Sequence, residues 1–126
     1  MINGPNILVA DFGTSSLKIG LINRQGVLLW YHREPMLREE KDLKNWNTGL
    51  WVQALKNSLA LLPLEPVSAV VFSGNGPTLV PLDEHDAPLD PVLLWIDGRA
   101  MYEEGNVSFF LPKVRWYAHN RPRDFE

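Results

Sequence analysis

Three short apolar segments separated by tight polar turns constrain the fold of this chain more than any other feature. Ile7 to Ala10 is a continuous apolar run that ends at Asp11, and Leu17 to Ile22 resumes an apolar, partly β-branched pattern. Val27 to Tyr31 follows the turn cluster Asn23 to Gly26. Short runs of this kind bounded by Gly, Asn and Ser are typical of strands. The sequence therefore predicts an antiparallel meander of three strands.

A helix and a further strand are predicted after the meander. Residues 33 to 45 are highly charged without periodicity, which predicts an exposed excursion. From 46 to 62 the pattern is that of an amphipathic helix, with Asn47 or Thr48 as its cap and Pro63 as its stop. Val67 to Phe72 is nearly all apolar, which suits a strand covered on both faces and reached by a β-α-β crossover. The predicted apolar face of the helix comprises Leu50, Trp51, Ala54, Leu55, Leu59 and Leu62.

The second half of the chain has shorter and less regular signals. Leu79 to Leu82 predicts a strand that turns at Asp83 to Asp86 toward a second strand, Val92 to Ile96, in which Trp95 is expected to be a core residue. Ser108 to Asn120 predicts a helix with Ser108 as cap and Pro112 in its first turn. The fold class is therefore α/β, with a mixed sheet that begins with a three-stranded antiparallel meander.

Composition excludes several classes of function. There is no cysteine among the 126 residues, which excludes disulfides, thiolate metal sites and cysteine nucleophiles. A net charge of −3 gives no basic surface for nucleic acid. The three histidines lack metal-ligand spacing, and no apolar run approaches the ~20 residues of a membrane span. The start of the chain lacks a basic segment followed by an apolar one, so we expect a soluble, cytoplasmic protein.

The first predicted turn is rich in groups that bind phosphate. Asp11, Gly13, three hydroxyl residues and Lys18 lie within eight positions of a strand-turn-strand unit. Backbone N–H groups of a tight glycine turn, hydroxyls and a lysine together suit phosphoryl oxygens. A carboxylate at a strand end suits hydrated Mg²⁺, which commonly uses one or two protein carboxylates. The alternative is an ordinary hairpin whose Ser and Thr side chains bind their own backbone.

Five segments in order carry a resemblance to a known family. Asp11 to Lys18 resembles the first phosphate motif of the actin, hexokinase and heat-shock-chaperone ATPase superfamily. Ser73 to Thr78, Leu82-Asp83, Pro91 to Arg99 and Leu111 to Trp116 then follow in the order seen in FGGY carbohydrate kinases. The resemblance covers nearly the whole chain. It implies a ribonuclease-H-like first domain, with ATP and Mg²⁺ as cofactors and transfer of the terminal phosphoryl group to a sugar or polyol hydroxyl.

The resemblance also implies a role for particular residues. Asp11 would hold Mg²⁺ through water, and the predicted ATP phosphate-binding set is Asp11, Gly13, Thr14, Ser15, Ser16 and Lys18. The predicted sugar-binding set is Gly74, Asn75, Gly76, Pro77, Asp97 and Arg99. For Asp97 and Arg99 a structural turn pair is an equal alternative. Xylulose kinases typically have Met-His where this chain has Gly76-Pro77, and the link from Arg99 to Leu111 is shorter than usual in the family.

Residues 1–126 are expected to be the amino-terminal part of the first domain of a two-domain kinase. The resemblance places the catalytic base, the second phosphate loop and the second domain beyond Glu126, so no catalytic residue is assigned. The chain alone is expected to be inactive and, because its predicted sheet lacks cover, to associate with itself through apolar surface. One alternative is an actin- or chaperone-type nucleotide switch without a sugar substrate, and another is an interaction domain without a ligand.

Overall fold

A computed structural model describes residues 5–36, 43–100 and 109–125 of the chain. These residues form two compact units. The first contains the described residues up to 36 together with 49–75, and the second contains residues 43–48, 76–100 and 109–125. No helix within the described ranges is both long and apolar enough to cross a membrane.

The first unit is built on a four-stranded mixed sheet. Its strands are β1 (Asn6–Phe12), β2 (Ser16–Ile22), β3 (Leu28–Pro35) and β4 (Val67–Gly74), arranged in the order β3-β2-β1-β4. The pairs β1–β2 and β2–β3 are antiparallel, and β4 is parallel to β1. The predicted meander and crossover are thereby confirmed. The predicted excursion at residue 33 is wrong at its start, because Arg33 to Pro35 pair with β2 and extend β3.

The register of the sheet places its most buried residues on one face. Leu8 is opposite Leu21 and Ala10 is opposite Ile19 across the antiparallel pair, so these four side chains share a face. All four are at most 5% exposed. Asp11 and Lys18 pair on the opposite face. The sheet therefore has one core face and one open face in its β1–β2 half, and the charged residues lie on the open face.

Helix α1 (Gly49–Leu59) packs against β2 and β3. The sequence predicted a longer helix with Leu50 and Leu59 on the apolar face, but Leu50 is only half-buried, Leu59 is exposed and the fully buried positions are Ala54 and Ser58. Ser58 is accommodated because its hydroxyl donates to the carbonyl of Ala54 at 2.8 Å. A hydroxyl satisfied inside its own helix packs like a small apolar side chain, which an apolar pattern cannot reveal.

Strand β4 is confirmed as a strand, but the prediction that it is covered on both faces is wrong for the described structure. All eight residues are exposed, including Val70, Val71 and Phe72. The reason is its position, since β4 lies at the end of the strand order and α1 packs on the other end of the sheet. β4 thus combines an apolar, uncharged sequence with an outer edge that pairs with no other strand among the described residues.

The second unit is held by turns and short bridges instead of the two predicted strands. Leu79 and Leu93 exchange two backbone hydrogen bonds of 2.9 Å, and Leu82 forms an isolated bridge with Pro88. The carboxylate of Asp83 accepts the N–H groups of His85 and Ala87 and closes the intervening turn. Val92 to Leu94 are nonetheless fully buried. The prediction of two strands is wrong because the chain turns again at once, with the Asp97 N–H donating to the Leu94 carbonyl.

Two helices complete the second unit. They are α2 (Leu111–Asn120) and α3 (Pro122–Phe125), and a 3-10 turn covers Gly98–Ala100. The predicted tail helix is confirmed with Pro112 in its first turn, whereas the predicted cap Ser108 lies outside the described residues. α3 was not predicted. Within α2, Lys113 and Tyr117 are at most 3% exposed, so the helix buries a cation together with its aromatic face.

Candidate functional site

The first hairpin places its acid and its lysine opposite each other. Asp11 at the end of β1 and Lys18 in β2 are cross-strand partners, and Lys18 Nζ lies 3.7 Å from Asp11 Oδ2. Both side chains are about half exposed, at 42% for Asp11 and 53% for Lys18. The pair is therefore accessible from solvent on the open face of the sheet, and neither charge is committed to a buried interaction.

The turn between these strands requires glycine at one position. Gly13 N–H donates to the Ser16 carbonyl at 3.1 Å, and a Cβ at Gly13 would lie 2.8 Å from that carbonyl oxygen. Such a contact is too close without backbone movement. The carbonyl of Gly13 also accepts Trp51 Nε1 of α1 at 2.9 Å. The helix thus fixes the turn whose backbone the sequence assigned to phosphate binding.

The three hydroxyl residues of the turn differ in their surroundings. Thr14 is half-buried and Ser15 is exposed. Ser16 is buried, and its hydroxyl accepts Arg33 Nε of β3 at 3.1 Å. Ser15 and Thr14 are therefore the accessible hydroxyls of the predicted phosphate set, while Ser16 contributes by joining β2 to β3.

The end of β4 brings two predicted sugar residues close to this hairpin. Gly74 pairs with Phe12, and Asn75 donates both its backbone N–H and its Nδ2 to the Phe12 carbonyl at 3.0 and 3.2 Å. The Oδ1 atom of Asn75 is buried and accepts no hydrogen bond from the residues that the structure describes. The Oδ1 atom of Asn75 is thus an unsatisfied acceptor close to Phe12, the residue before Gly13.

The other predicted sugar residues belong to the second unit, where Asp97 and Arg99 form a tight ion pair. Arg99 donates Nε and Nη2 to the Asp97 carboxylate at distances from 2.6 to 3.1 Å, and its backbone N–H donates to Oδ1 at 2.9 Å. Nη2 also donates to the Lys44 carbonyl at 2.6 Å, and the guanidinium lies 5.4 Å from the ring centre of Trp116. The structural turn pair is therefore present. A direct sugar contact by either side chain remains a prediction.

Lys113 of α2 is a buried charge, whereas Arg115 of the same helix is exposed. Burial lowers the pKa of Lys113, and the charge of Asp97 opposes that effect. Burial alone would raise the pKa of Asp97, but the Arg99 hydrogen bonds and the charges of Arg99 and Lys113 outweigh it and leave that pKa below its usual value. The fully buried carboxylate of Asp97 is therefore paired with Arg99 and is also influenced by the charge of Lys113. The only sequence signal was the spacing of Lys113 four positions before Tyr117, which places both residues on the same, buried side of the helix.

A small cavity of about 260 Å³ lies against this network in the second unit. Its walls include Pro77, Trp95, Asp97 and Lys113. Trp95 is 51% exposed, so the prediction that it belongs to the core is wrong. Its backbone N–H donates to Thr78 Oγ1 at 3.1 Å. Pro77 and Asp97, two of the predicted sugar residues, are thus brought together at one cavity.

Comparison with known proteins connects these features to one family. The model of the FGGY family of carbohydrate kinases, N-terminal domain, matches residues 6–109. The chain belongs to this family, and its small mixed sheet and helices match the N-terminal domain of sugar kinases. The match includes the phosphate hairpin and the segment from Pro77 to Arg99.

Xylulose kinases are prominent among the similar proteins. The chain is 30% identical over 145 residues to the xylulose kinase of Escherichia coli (strain K12) and 26% identical over 142 residues to that of Lactococcus lactis subsp. lactis (strain IL1403). These alignments cover 91% and 92% of this chain but 28% of each relative.

Solved structures show the same fold. A xyloylose kinase from Brucella ovis superposes with a TM-score of 0.76 at 25% identity, over 94% of this chain and 30% of that one. A xylulose kinase from Bifidobacterium adolescentis gives a TM-score of 0.74 at 16% identity, over 96% of this chain and 30% of that one. The chain therefore spans less than a third of the length of the kinases it resembles.

Proposed function

We propose that the full-length protein containing this chain transfers the terminal phosphoryl group of ATP to a hydroxyl of a sugar or polyol. The observation that carries this proposal is the hairpin that places Asp11, Lys18 and the constrained turn at Gly13 on one accessible edge. Membership of a carbohydrate-kinase family supports the same reaction. The xylulose kinases among the relatives favour a ketopentose, but the Gly76-Pro77 departure keeps the proposal at the level of sugar or polyol.

The residues present fit the phosphate end of MgATP. A half-exposed carboxylate suits a Mg²⁺ ion that keeps most of its waters, and Asp11 is the residue that would hold it. Lys18 adds positive charge beside it, and the backbone near Gly13 can approach phosphoryl oxygens because it carries no side chain. When bound, MgATP supplies the phosphoryl group and neutralises charge in the transition state. The hairpin binds and orients that group.

The sugar site is proposed at the Pro77 and Asp97 cavity of the second unit. Its size of about 260 Å³ suits a small polyhydroxylated molecule or part of one. Because the carboxylate of Asp97 is already bonded to Arg99, its role there is to position the turn that carries Trp95. The residue that accepts the proton of the sugar hydroxyl is proposed to lie in the part of the protein that corresponds to the remaining length of the relatives.

Two experiments test this function. First, the 126-residue chain with MgATP and a panel of pentoses, hexoses and polyols is expected to yield no sugar phosphate, because acid-base and positioning effects are each worth orders of magnitude. Second, in the full-length product Asp11→Ala is expected to lower kcat at least about a hundredfold, and Lys18→Ala to raise the KM for ATP, with sugar binding retained. Lys56→Ala, an exposed lysine on α1, is the matched control and is expected to leave both unchanged.

The alternative is a nucleotide switch that hydrolyses ATP without a sugar. ATP consumption by the full-length product that no sugar or polyol accelerates would favour the switch and contradict the kinase. Loss of sugar affinity with unchanged ATP kinetics in Asp11→Ala would contradict the assignment of the hairpin.

A further inference from the structure

A second and larger cavity lies in the second unit. Only one of its lining residues belongs to the predicted ATP-binding or sugar-binding sets. Its volume is about 690 Å³, within the range of small-molecule sites. The walls are formed by the segment before α1, the segment from Pro88 to Val92, Trp116 of α2 and Arg121 just after that helix. Arg99 is the exception, since it lines this cavity while its partner Asp97 lines the smaller one.

The charged groups of the larger cavity are two arginines and one acid. The Arg99 guanidinium is fixed by Asp97, by the Lys44 carbonyl and by the Trp116 ring, so little side-chain entropy remains to be lost on binding. Arg121 follows α2 and lines the same cavity, as does Asp90. Planar guanidinium groups match phosphate oxygens in pairs, whereas a carboxylate accepts hydrogen bonds from hydroxyls.

A buried hydroxyl lies near two of these charges. Tyr117 is 2% exposed, and its hydroxyl has no hydrogen-bond partner within the described ranges. The pKa of Tyr117 is raised, chiefly by burial and then by the charges of Asp124 and Asp90. The charge of Arg121 acts in the opposite direction but does not cancel these effects. The hydroxyl is therefore within electrostatic reach of both cavity charges. A native structure rarely leaves such a group unsatisfied, so a ligand or water with an acceptor oxygen is expected in its vicinity.

The remaining walls supply aromatic and amide groups. Trp116, which is partly exposed, lines the cavity together with Asn45, whereas Trp46 is a fully buried part of the wall. Aromatic faces pack on the C–H surface of a sugar ring, and an amide can both donate to and accept from hydroxyls. A neutral sugar would not use the positive charge of Arg121, and an inorganic anion would leave Asp90 without a donor.

We propose that this cavity binds a phosphate monoester of a polyhydroxylated compound, with the phosphate at Arg99 and Arg121 and the hydroxyls at Asp90 and Asn45. The ligand class follows from the charges of the cavity and does not depend on the proposed kinase activity. The proposed ligand is therefore a sugar phosphate.

Ribose 5-phosphate, ribose and inorganic phosphate are the probes, titrated into the 126-residue chain while the indole N–H signals of the tryptophans are followed by NMR. Ribose 5-phosphate is expected to shift the Trp116 signal until the shift saturates. It is expected to bind at least about tenfold more tightly than the other two probes, because ribose lacks the phosphate and inorganic phosphate lacks the sugar hydroxyls. Arg121→Gln is expected to weaken binding about fivefold or more, and Arg121→Lys to lie in between.

Arg123→Gln is the matched control, because Arg123 lies two positions further on and is not part of the cavity wall. Circular dichroism establishes that each variant is folded. A titration without saturation, equal affinity for ribose and ribose 5-phosphate, or an equal loss in Arg121→Gln and Arg123→Gln would each overturn the proposal. Loss of kinase activity in the full-length product leaves this result unaffected, so the two proposals fail separately.

Discussion

Strands β2 and β4 have similar apolar sequences but opposite surroundings. Leu17, Ile19 and Leu21 of β2 are at most 1% exposed, whereas Val70 and Val71 of β4 are each 48% exposed. β2 has strands on both sides and α1 over its core face, while β4 has only β1 beside it and no helix packed on it in the described structure. An apolar run therefore predicts a strand, but its burial depends on neighbours that the run does not specify.

The largest difference between β2 and β4 is expected in how much a substitution in each strand lowers the free energy of unfolding. Ile19→Ala is expected to lower the free energy of unfolding by about 3 kcal/mol, because it removes fully buried methyl and methylene groups and leaves a cavity. Val70→Ala is expected to cost less than about 1 kcal/mol, because half of its surface is already in water. Urea unfolding of both variants measures the two values. Equal losses would show that β4 is covered in solution.

A smaller effect is expected on self-association. The sequence of β4 carries no charge, and its outer edge pairs with no strand in the part of the chain that the structure describes, so we expect the 126-residue chain to associate through it. Val70→Lys is expected to lower the association constant by about tenfold or more. Val52→Lys on α1 is the matched control, since Val52 is 52% exposed and lies away from the edge. Sedimentation analysis decides the matter, and a wild-type chain that remains monomeric would contradict this role of β4.

The smallest effect concerns how α1 is held on the covered half of the sheet. Glu34 of β3 accepts Asn57 Nδ2 of α1 at 2.8 Å and lies 2.9 Å from His32 Nε2. The hydrogen bond from Asn57, followed by that from His32, holds the pKa of Glu34 below its ordinary value of 4.5. Its folded pKa is lower than its unfolded one, so its contribution is complete above pH 4.5 and is lost as the pH falls through the folded pKa.

Thermal melting of the wild type and Glu34→Gln from pH 7 to pH 3 tests this contribution. The difference in Tm between the two proteins is expected to be constant above pH 5 and to shrink below pH 4. A difference that grows with acidification would contradict the assigned sign.

The elements that sequence predicted best are those defined by local signals. The three strands of the meander and the parallel strand β4 follow from apolar runs separated by Gly, Asn and Pro turns. The sequence predicted two strands around Leu79 and Leu93, but the structure has only an isolated bridge between these two residues. A longer strand does not form because the chain turns at Leu94. Burial was the weakest prediction, since Trp95 is exposed and Lys113 is buried for reasons that involve partners distant in sequence.

For the candidate site, the chemistry of individual residues was easier to predict than their contacts. The pairing of Asp11 with Lys18 follows from the hairpin register that the turn imposes. The binding of Ser16 to Arg33 depends on a third strand, and the fixing of Gly13 by Trp51 depends on a helix 38 positions away. The larger cavity had no sequence signal, because its walls come from four separated segments.

The strand order of the sheet also has a consequence for chain entropy. β1 and β2 are joined by three residues, whereas β1 and its parallel partner β4 are separated by 54 residues. Loop-closure entropy rises by about 0.6 kcal/mol for each doubling of loop length, which makes the second pairing about 2.5 kcal/mol more costly to close than the first. β1 therefore takes part in both the least and the most entropically costly pairing of the sheet. The costlier one, β1–β4, also has less apolar burial to offset its cost than β1–β2.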